Sequence, residues 1–243
     1  MSEYGLFIAA EGAQLQQRRL EVLTNNLANV ETPGFKRQLA VFQARLAEQT
    51  QRGLDYPGSQ SINDLSGGVI QHSIVTDFSS GPMQSTDIPT DLAIGGDGFF
   101  VIEKDGQQLL TRAGNFHLNN ENRLVTEQGY NVLDHDFSEV TIDPAAGPQE
   151  LARLANRVAV VLPEALGDLK SVGENLFRAA GATAPVEAVD RRVLSGFVEK
   201  SGVNPTLEMM ELIETSRMFE ANIRLIQQQD GLIGTLLNRV LRA

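Results

Sequence analysis

Residues 6–34, LFIAAEGAQLQQRRLEVLTNNLANVETPG, repeat apolar or small side chains at alternating steps of three and four: Leu6, Ala9, Ala13, Leu20, Leu23, Leu27 and Val30, with Gln16 as the one polar interruption. That spacing gathers one face of an α-helix and has the heptad form of a seam that packs on another helix. It stops at Thr32-Pro33-Gly34. Pro33 lacks an amide donor and disfavours helix at Thr32, and Gly34 permits a turn, so the helix is expected to end near Asn29.

The same alternation returns at the other end of the chain, through Met209, Leu212, Ser216, Phe219, Ile223, Ile226, Asp230, Ile233, Leu237 and Val240. Asn204 before Pro205 supplies a cap and a first helical position. A single stripe cannot bury itself, and this chain has two, so the terminal helices are expected to pack together as a coiled-coil-like pair. Leu207, Met210, Ile213, Leu225, Leu232, Leu236 and Leu241 fall off that seam. A two-helix pair leaves them wet, which suits packing against further subunits. Identical chains joined through different surfaces give a ring or an open helical filament.

Between the ends the period changes to two. Short β-prone runs (Phe99 to Ile102, Gln108 to Thr111, Phe116 to Leu118, Arg123 to Val125, Tyr130 to Leu133) alternate with KDG, RAGN, NNEN and EQG turn clusters and read as a β-meander. Arg157 to Leu162, Val193 to Glu199 and Val186 to Val189 are further strand candidates, and Gln149 to Ala155 a short helix. Neither terminal helix follows a strand in a βαβ rhythm, which argues against a doubly wound sheet. The expected fold is α+β with an all-β domain inserted between two long helices. Its segments are an assembly helix at 1–34, a linker or extended segment at 35–85, the β-domain at 86–200 and a second assembly helix at 201–243.

Composition narrows the function. Residues 1–45 hold 5 basic and 4 acidic side chains and residues 205–243 hold 4 and 5, whereas residues 46–204 hold 11 and 22, so the net charge of -11 lies almost wholly in the middle. An acidic middle between near-neutral ends argues against nucleic acid, which needs a basic footprint, and makes the ends the expected contact surfaces. No cysteine is present, so neither disulfides nor thiolate metal sites are expected. The start MSEYGLFIAA lacks a basic n-region and an apolar run of signal-peptide length, and no stretch is apolar enough to span a membrane.

Catalytic readings are weak. Asp87, Asp91 and Asp97 could be imagined as an acid/base set for glycan hydrolysis, but turn positions beside strands use Asp to satisfy local backbone donors. His72, His117 and His135 lack a metal-ligand spacing. Asn119-Asn120-Glu121-Asn122 has no glycine at the sixth place of a calcium loop, and Gly95-Gly96-Asp97-Gly98 precedes a strand instead of the helix that a phosphate loop requires. No catalytic residue, metal or cofactor is expected.

The stretch Asn25-Asn26-Leu27-Ala28-Asn29 with Thr32-Pro33-Gly34-Phe35-Lys36-Arg37 resembles the N-terminal signature of the flagellar rod and hook proteins. Two further blocks resemble the same family in the same order: Asp91 to Phe100 with Thr111-Arg112-Ala113-Gly114 and Leu124 to Tyr130, then Ser201 to Pro205 with Ile213 to Glu220. The resemblance implies a non-enzymatic subunit of the basal-body rod, exported by the type III route without signal cleavage. It implies a periplasmic axial drive shaft built from copies of this chain and neighbouring rod proteins, and contact with the flagellar export apparatus on the way. Terminal helices would form the inner tube and the β-domain would lie outside it. The assembly interface is then expected at Leu6, Ala13, Leu20, Leu23, Asn25, Asn26, Leu27, Asn29 and Phe35, and at Leu212, Phe219, Ile223, Ile226, Ile233, Leu237 and Val240, with Leu27 and Phe35 buried. Asp77 to Met83 resembles the proximal-rod type, which is the expected position, while Phe35-Lys36-Arg37-Gln38 is also at home in the distal-rod type, the alternative. The remaining alternative is a coiled-coil subunit of another exported apparatus.

Overall fold

A computed structural model describes residues 3–44, 52, 69–143, 153–186 and 192–240. It is α+β, with an N-terminal helix Glu3–Ala28, a β-rich centre and a C-terminal helix Pro205–Val240. Both helices start or stop where local chemistry dictates. After Ala28 the chain turns through Thr32 N to Asn29 O (3.2 Å) and Phe35 N to Thr32 O (3.3 Å). The Asn204 side-chain oxygen accepts from the amides of Thr206 (3.1 Å) and Leu207 (3.4 Å), which answers donors that a helix start leaves orphaned. With 36 residues the C-terminal helix is about 54 Å long at ~1.5 Å per residue.

The described residues fall into two compact units, one drawn from Met1–Ala28, Gln38–Asp77 and Asn204–Ala243, the other from Asn29–Arg37 and Phe78–Val203. The first holds the two helices and an antiparallel ladder of Gln38–Ala44 with Val69–Thr76, bulged between Val41 and Phe42. Residues 35–85, expected as a linker or extended segment, therefore contribute paired strands. The β-prone run Leu39 to Phe42 lies in that strand, and the Gly- and Ser-rich stretch after it gives no sign of the pairing.

The second unit is organised by Phe99–Lys104, the centre of a nine-stranded sheet. It pairs antiparallel with Gln107–Thr111 through the two-residue turn Asp105-Gly106, whose φ values of 54 and 73° suit the right-handed twist of a hairpin. On its other edge it pairs with Asn131–Val132 and Val160–Pro163. Both faces of this strand are covered. Phe100 and Ile102 enter a cluster with Leu92, Leu124, Val132 and Leu176, while Phe99 and Val101 join Leu110, Leu133, Val161 and Phe177. Burial on both faces is why Phe99 to Ile102 is a continuous apolar run. Phe100 meets Phe116 edge-on at 5.2 Å between centroids, and Phe78, Phe99 and Phe177 form a mutual edge-on set on the opposite face.

The expected meander strands are found as Phe99–Lys104, Gln107–Thr111, His117–Leu118, Leu124–Val125 and Asn131–Val132. Val193 to Glu199 is divided by Gly196 (φ 80°) into Val193–Ser195, paired with Leu92–Ile94, and Phe197–Glu199, paired with Met83–Ser85. The short helix is Leu154–Arg157, later than expected, and residues 149–152 lie outside the described residues. In place of Val186 to Val189 the strand is Thr183–Pro185, followed by a bond from Val186 N to Val160 O, and residues 187–189 also lie outside. A further hairpin joins Leu169–Gly173 to Leu176–Ala179, outside the strands expected from the sequence. Because Phe100 is fully buried between these layers, Phe100→Ala is expected to destabilise the protein by about 3–5 kcal/mol, read from the midpoint of urea unfolding monitored by circular dichroism.

Candidate assembly interface

In the first unit the terminal helices lie against one another antiparallel, and their contacts share one register. The space above Gly5 is filled by the Gln229 side chain, that above Gly12 by Asn222, the Gln16 amide donates to the sulfur of Met218 (3.7 Å), and the Asn26 amide donates to Glu208 Oε2 (3.3 Å). Each pair of residue numbers sums to 234. Arg19 reaches one turn further, to Glu211 at 3.3 Å. Ala9, Ala13, Val22, Leu23 and Asn26 are buried on the N-terminal helix, and small side chains at 9, 12 and 13 allow close approach of the partner backbone.

On the N-terminal helix Leu6 and Leu20 are half-buried and Asn25 is exposed, and Leu27, expected to be buried, is half-buried. On the C-terminal helix the inward positions are shifted. Glu208 and Thr215 are buried and Leu212, Phe219, Asn222, Ile223, Ile226 and Gln229 half-buried, whereas Met209 and Asp230, expected on the seam, are exposed. The apolar rule passed over Glu208, Thr215, Asn222 and Gln229, which repeat every seven residues, because it counts only apolar residues. The helix includes Ile233, Leu237 and Val240, but their side chains lie outside the described residues.

The second unit contains a buried ionic clamp. Glu199 Oε1 accepts from Lys36 Nζ (2.7 Å) and from the Gly81 amide (2.7 Å), and both charged side chains are about 1 % exposed. Glu199 Oε2 makes no hydrogen bond among the described residues and faces Arg112 Nη1 at 3.5 Å. Lys36 Nζ also donates to Ser79 O, and Arg112 donates to the carbonyls of Ile94 and Gly96. Burial pushes the Arg112 guanidinium below its ordinary range, against the pull of Glu199 and then Asp97.

Main-chain bonds tighten the same point. Gly34 N donates to Glu199 O (2.7 Å) and Gly202 N to Phe35 O (3.0 Å), and the Asn175 amide donates to Pro33 O (2.9 Å). Gly34 has φ 66°, and a Cβ there would collide with the Arg112 main chain. The turn Thr32 to Phe35, with Phe35 buried, is thus seated in the β-rich unit. Asn29 accepts from the Thr32 hydroxyl at 3.2 Å, whereas Asn26, in the other unit, holds the Gln38 main chain through both amide atoms (2.8 and 2.9 Å). Lys36, Arg112 and Glu199 are far apart in sequence, and no spacing rule links them.

Asp87 and Asp91 serve turns. Asp87 accepts from the Ser85 hydroxyl at 3.1 Å, and the main chain of buried Asp91 bonds Ile88 and Gly196. Among the described residues no group of three or more His, Asp or Glu side chains is placed to hold a metal ion, and no helix is long and apolar enough to cross a membrane.

Three family profiles match in sequence order: the flagella basal body rod protein at residues 6–36, the flagellar hook protein FlgE/F/G D1 domain at 93–165, and the flagellar basal body rod FlgEFG protein C-terminal region at 194–239. Among similar proteins are a flagellar basal-body rod protein FlgF of Caulobacter vibrioides (30 % identical, covering 97 % of each chain), a FlgG of the same organism (34 %, covering 93 % of this chain and 95 % of the relative), and a FlgG of Agrobacterium fabrum (35 %, covering 93 % and 95 %). The chain belongs to the flagellar basal-body rod protein family. Within it the chain is a structural rod subunit of the FlgF or FlgG type.

The clamp makes a measurable claim. Glu199→Gln leaves two buried cations without their anion and is expected to cost about 3–5 kcal/mol in urea unfolding. In a double-mutant cycle with Lys36→Met the two side chains are expected to couple by about 0.5–3 kcal/mol.

Proposed function

We propose that this chain is a non-enzymatic subunit of the proximal rod, the periplasmic drive shaft that transmits torque, and that its terminal helices, paired in the manner of a coiled coil, are the element through which copies and neighbouring rod proteins assemble. One observation carries the reading. The C-terminal helix leaves Leu207 (54 %), Met210 (63 %) and Ile213 (54 %) exposed on the near-neutral part of an otherwise acidic chain. A row of large apolar side chains at that exposure suits burial by other subunits. Leu225 and Leu232 continue the apolar surface further along the helix.

In this reading the acidic β-rich unit stays solvated, and Leu6, Ala13, Leu23 and Leu27 with Leu212, Phe219, Ile223 and Ile226 hold the helix pair together. The remaining interface positions are Leu20, Asn25, Asn29, Ile233, Leu237 and Val240, whereas Asn26 and Phe35 act within the subunit. The subunit passes the flagellar export apparatus on its way to the rod. A proximal position is favoured because alignment with the FlgF relative takes 244 positions, close to the chain's own 243, whereas the FlgG alignments stretch to 256 and 253. The distal FlgG position is the second reading, supported by the higher identities of 34 and 35 %.

Deleting the coding sequence is expected to abolish swimming, with hook and filament missing from electron micrographs, and intact flagella in the deletion strain would reject the reading. Complementation with Met210→Glu/Ile213→Glu is expected to restore a folded, secreted subunit that does not enter basal bodies, since each carboxylate would have to be desolvated at the contact. Basal bodies isolated from a strain lacking the distal-rod protein separate the two positions: a proximal subunit is retained in them.

A further inference from the structure

We infer that Asn26 and Glu208, keyed to the Gln38 main chain, form a register lock that selects one stagger of the terminal helices, supported by polar layers that recur every seven residues. Gly5, Gly12, Arg19 and Asn26 are spaced by seven on one helix, and Glu208, Thr215, Asn222 and Gln229 by seven on the other. The observed register sets them opposite one another, Gly5 with Gln229, Gly12 with Asn222 and Asn26 with Glu208. Where the C-terminal helix carries an amide, the N-terminal helix has no side chain, and the amide occupies the vacated volume.

A slip of three or four residues would set Asn222 and Gln229 against positions such as Ala9 and Gln16, and Glu208 against Leu23 or Val30, burying a carboxylate beside apolar groups. Slips of a whole heptad are harder to exclude. Moving the C-terminal helix one way pairs Arg19 with Glu208 and Gly12 with Thr215, and moving it the other way pairs Gly12 with Gln229, all of them compatible by size or charge. The end of the helix pair decides between them. Asn26 is fully buried, its amide oxygen accepts from Gln38 N and its nitrogen donates to Gln38 O and to Glu208, so it is committed to this place and aims one donor at the partner. Glu208 sits in the first turn of its helix, with its own amide on Asn204 O. A heptad slip in either direction separates the two and takes from Asn26 the acceptor of one buried amide hydrogen, and in the direction that does not bring Arg19 alongside it also carries Glu208 past the helix end to the Thr32-Pro33 turn.

The absence of native cysteine makes the register directly readable. In the full-length chain, Gln16→Cys with Met218→Cys reports the observed register, and Gln16→Cys with Glu211→Cys or with Leu225→Cys reports a heptad slip in either direction. On oxidation of the otherwise unsubstituted protein at concentrations where it is monomeric, the 16/218 intramolecular disulfide is expected to exceed either slipped disulfide by about tenfold, the scale of one hydrogen bond to a charged group. In the Asn26→Leu/Glu208→Leu background the slipped disulfides should rise to about the level of 16/218 while helical circular dichroism is retained. Glu208→Ala, which leaves Asn26 on Gln38, gives the same readout if the double substitution loses helicity, and the ratio should again fall several-fold. A 16/218 preference unchanged in both backgrounds overturns the lock, as does absence of that preference in the starting protein.

Discussion

Glu199 has no access to water, and a carboxylate in that position must be answered where it stands. Its side chain holds Lys36 and the Gly81 amide and faces Arg112, and its main-chain oxygen holds Gly34. Four distant parts of the chain are thereby brought to one point. The turn after the N-terminal helix, the entry to Met83–Ser85, the end of Gln107–Thr111 and the segment before the C-terminal helix all meet there. A buried ion cluster is weak evidence of net stability, because desolvation offsets much of the attraction. What it supplies is selectivity, since any arrangement that displaces one member strands the others.

The helix pair follows the same logic with weaker charges. Small residues on one helix admit amides from the other, and Asn26 with Glu208 closes the series. Apolar contacts alone tolerate sliding, whereas a polar group that has lost water tolerates only its partner. Both devices fix how distant parts of one chain meet, and so fix the surface that a rod subunit presents.

Much of the architecture was legible in the chain itself. The 3–4 alternation gave both helices, Pro33-Gly34 and Asn204-Pro205 gave their ends to within a residue or two, and Lys104-Asp105-Gly106 marked the central hairpin. What escaped was polar and non-local. Glu208, Thr215, Asn222 and Gln229 look solvated to any rule that scores apolar residues, which places the seam at Met209 and Asp230 instead. Lys36 and Glu199 are 163 residues apart, and local pattern carries no information on such a pairing. The Glu174-Asn175 hairpin was missed because its two positive-φ residues are not glycine, although Asn tolerates that region.

Both devices serve the claim that paired terminal helices are the assembly element of a rod subunit. Cryo-electron microscopy of basal bodies from the native organism, at a resolution that shows side chains, tests it most directly. The account predicts both helices of each copy in the axial core, antiparallel with Asn26 beside Glu208, and Leu207, Met210 and Ile213 covered by neighbouring subunits. A rod in which those three side chains face solvent, or in which this chain's helices lie outside the core, would contradict it.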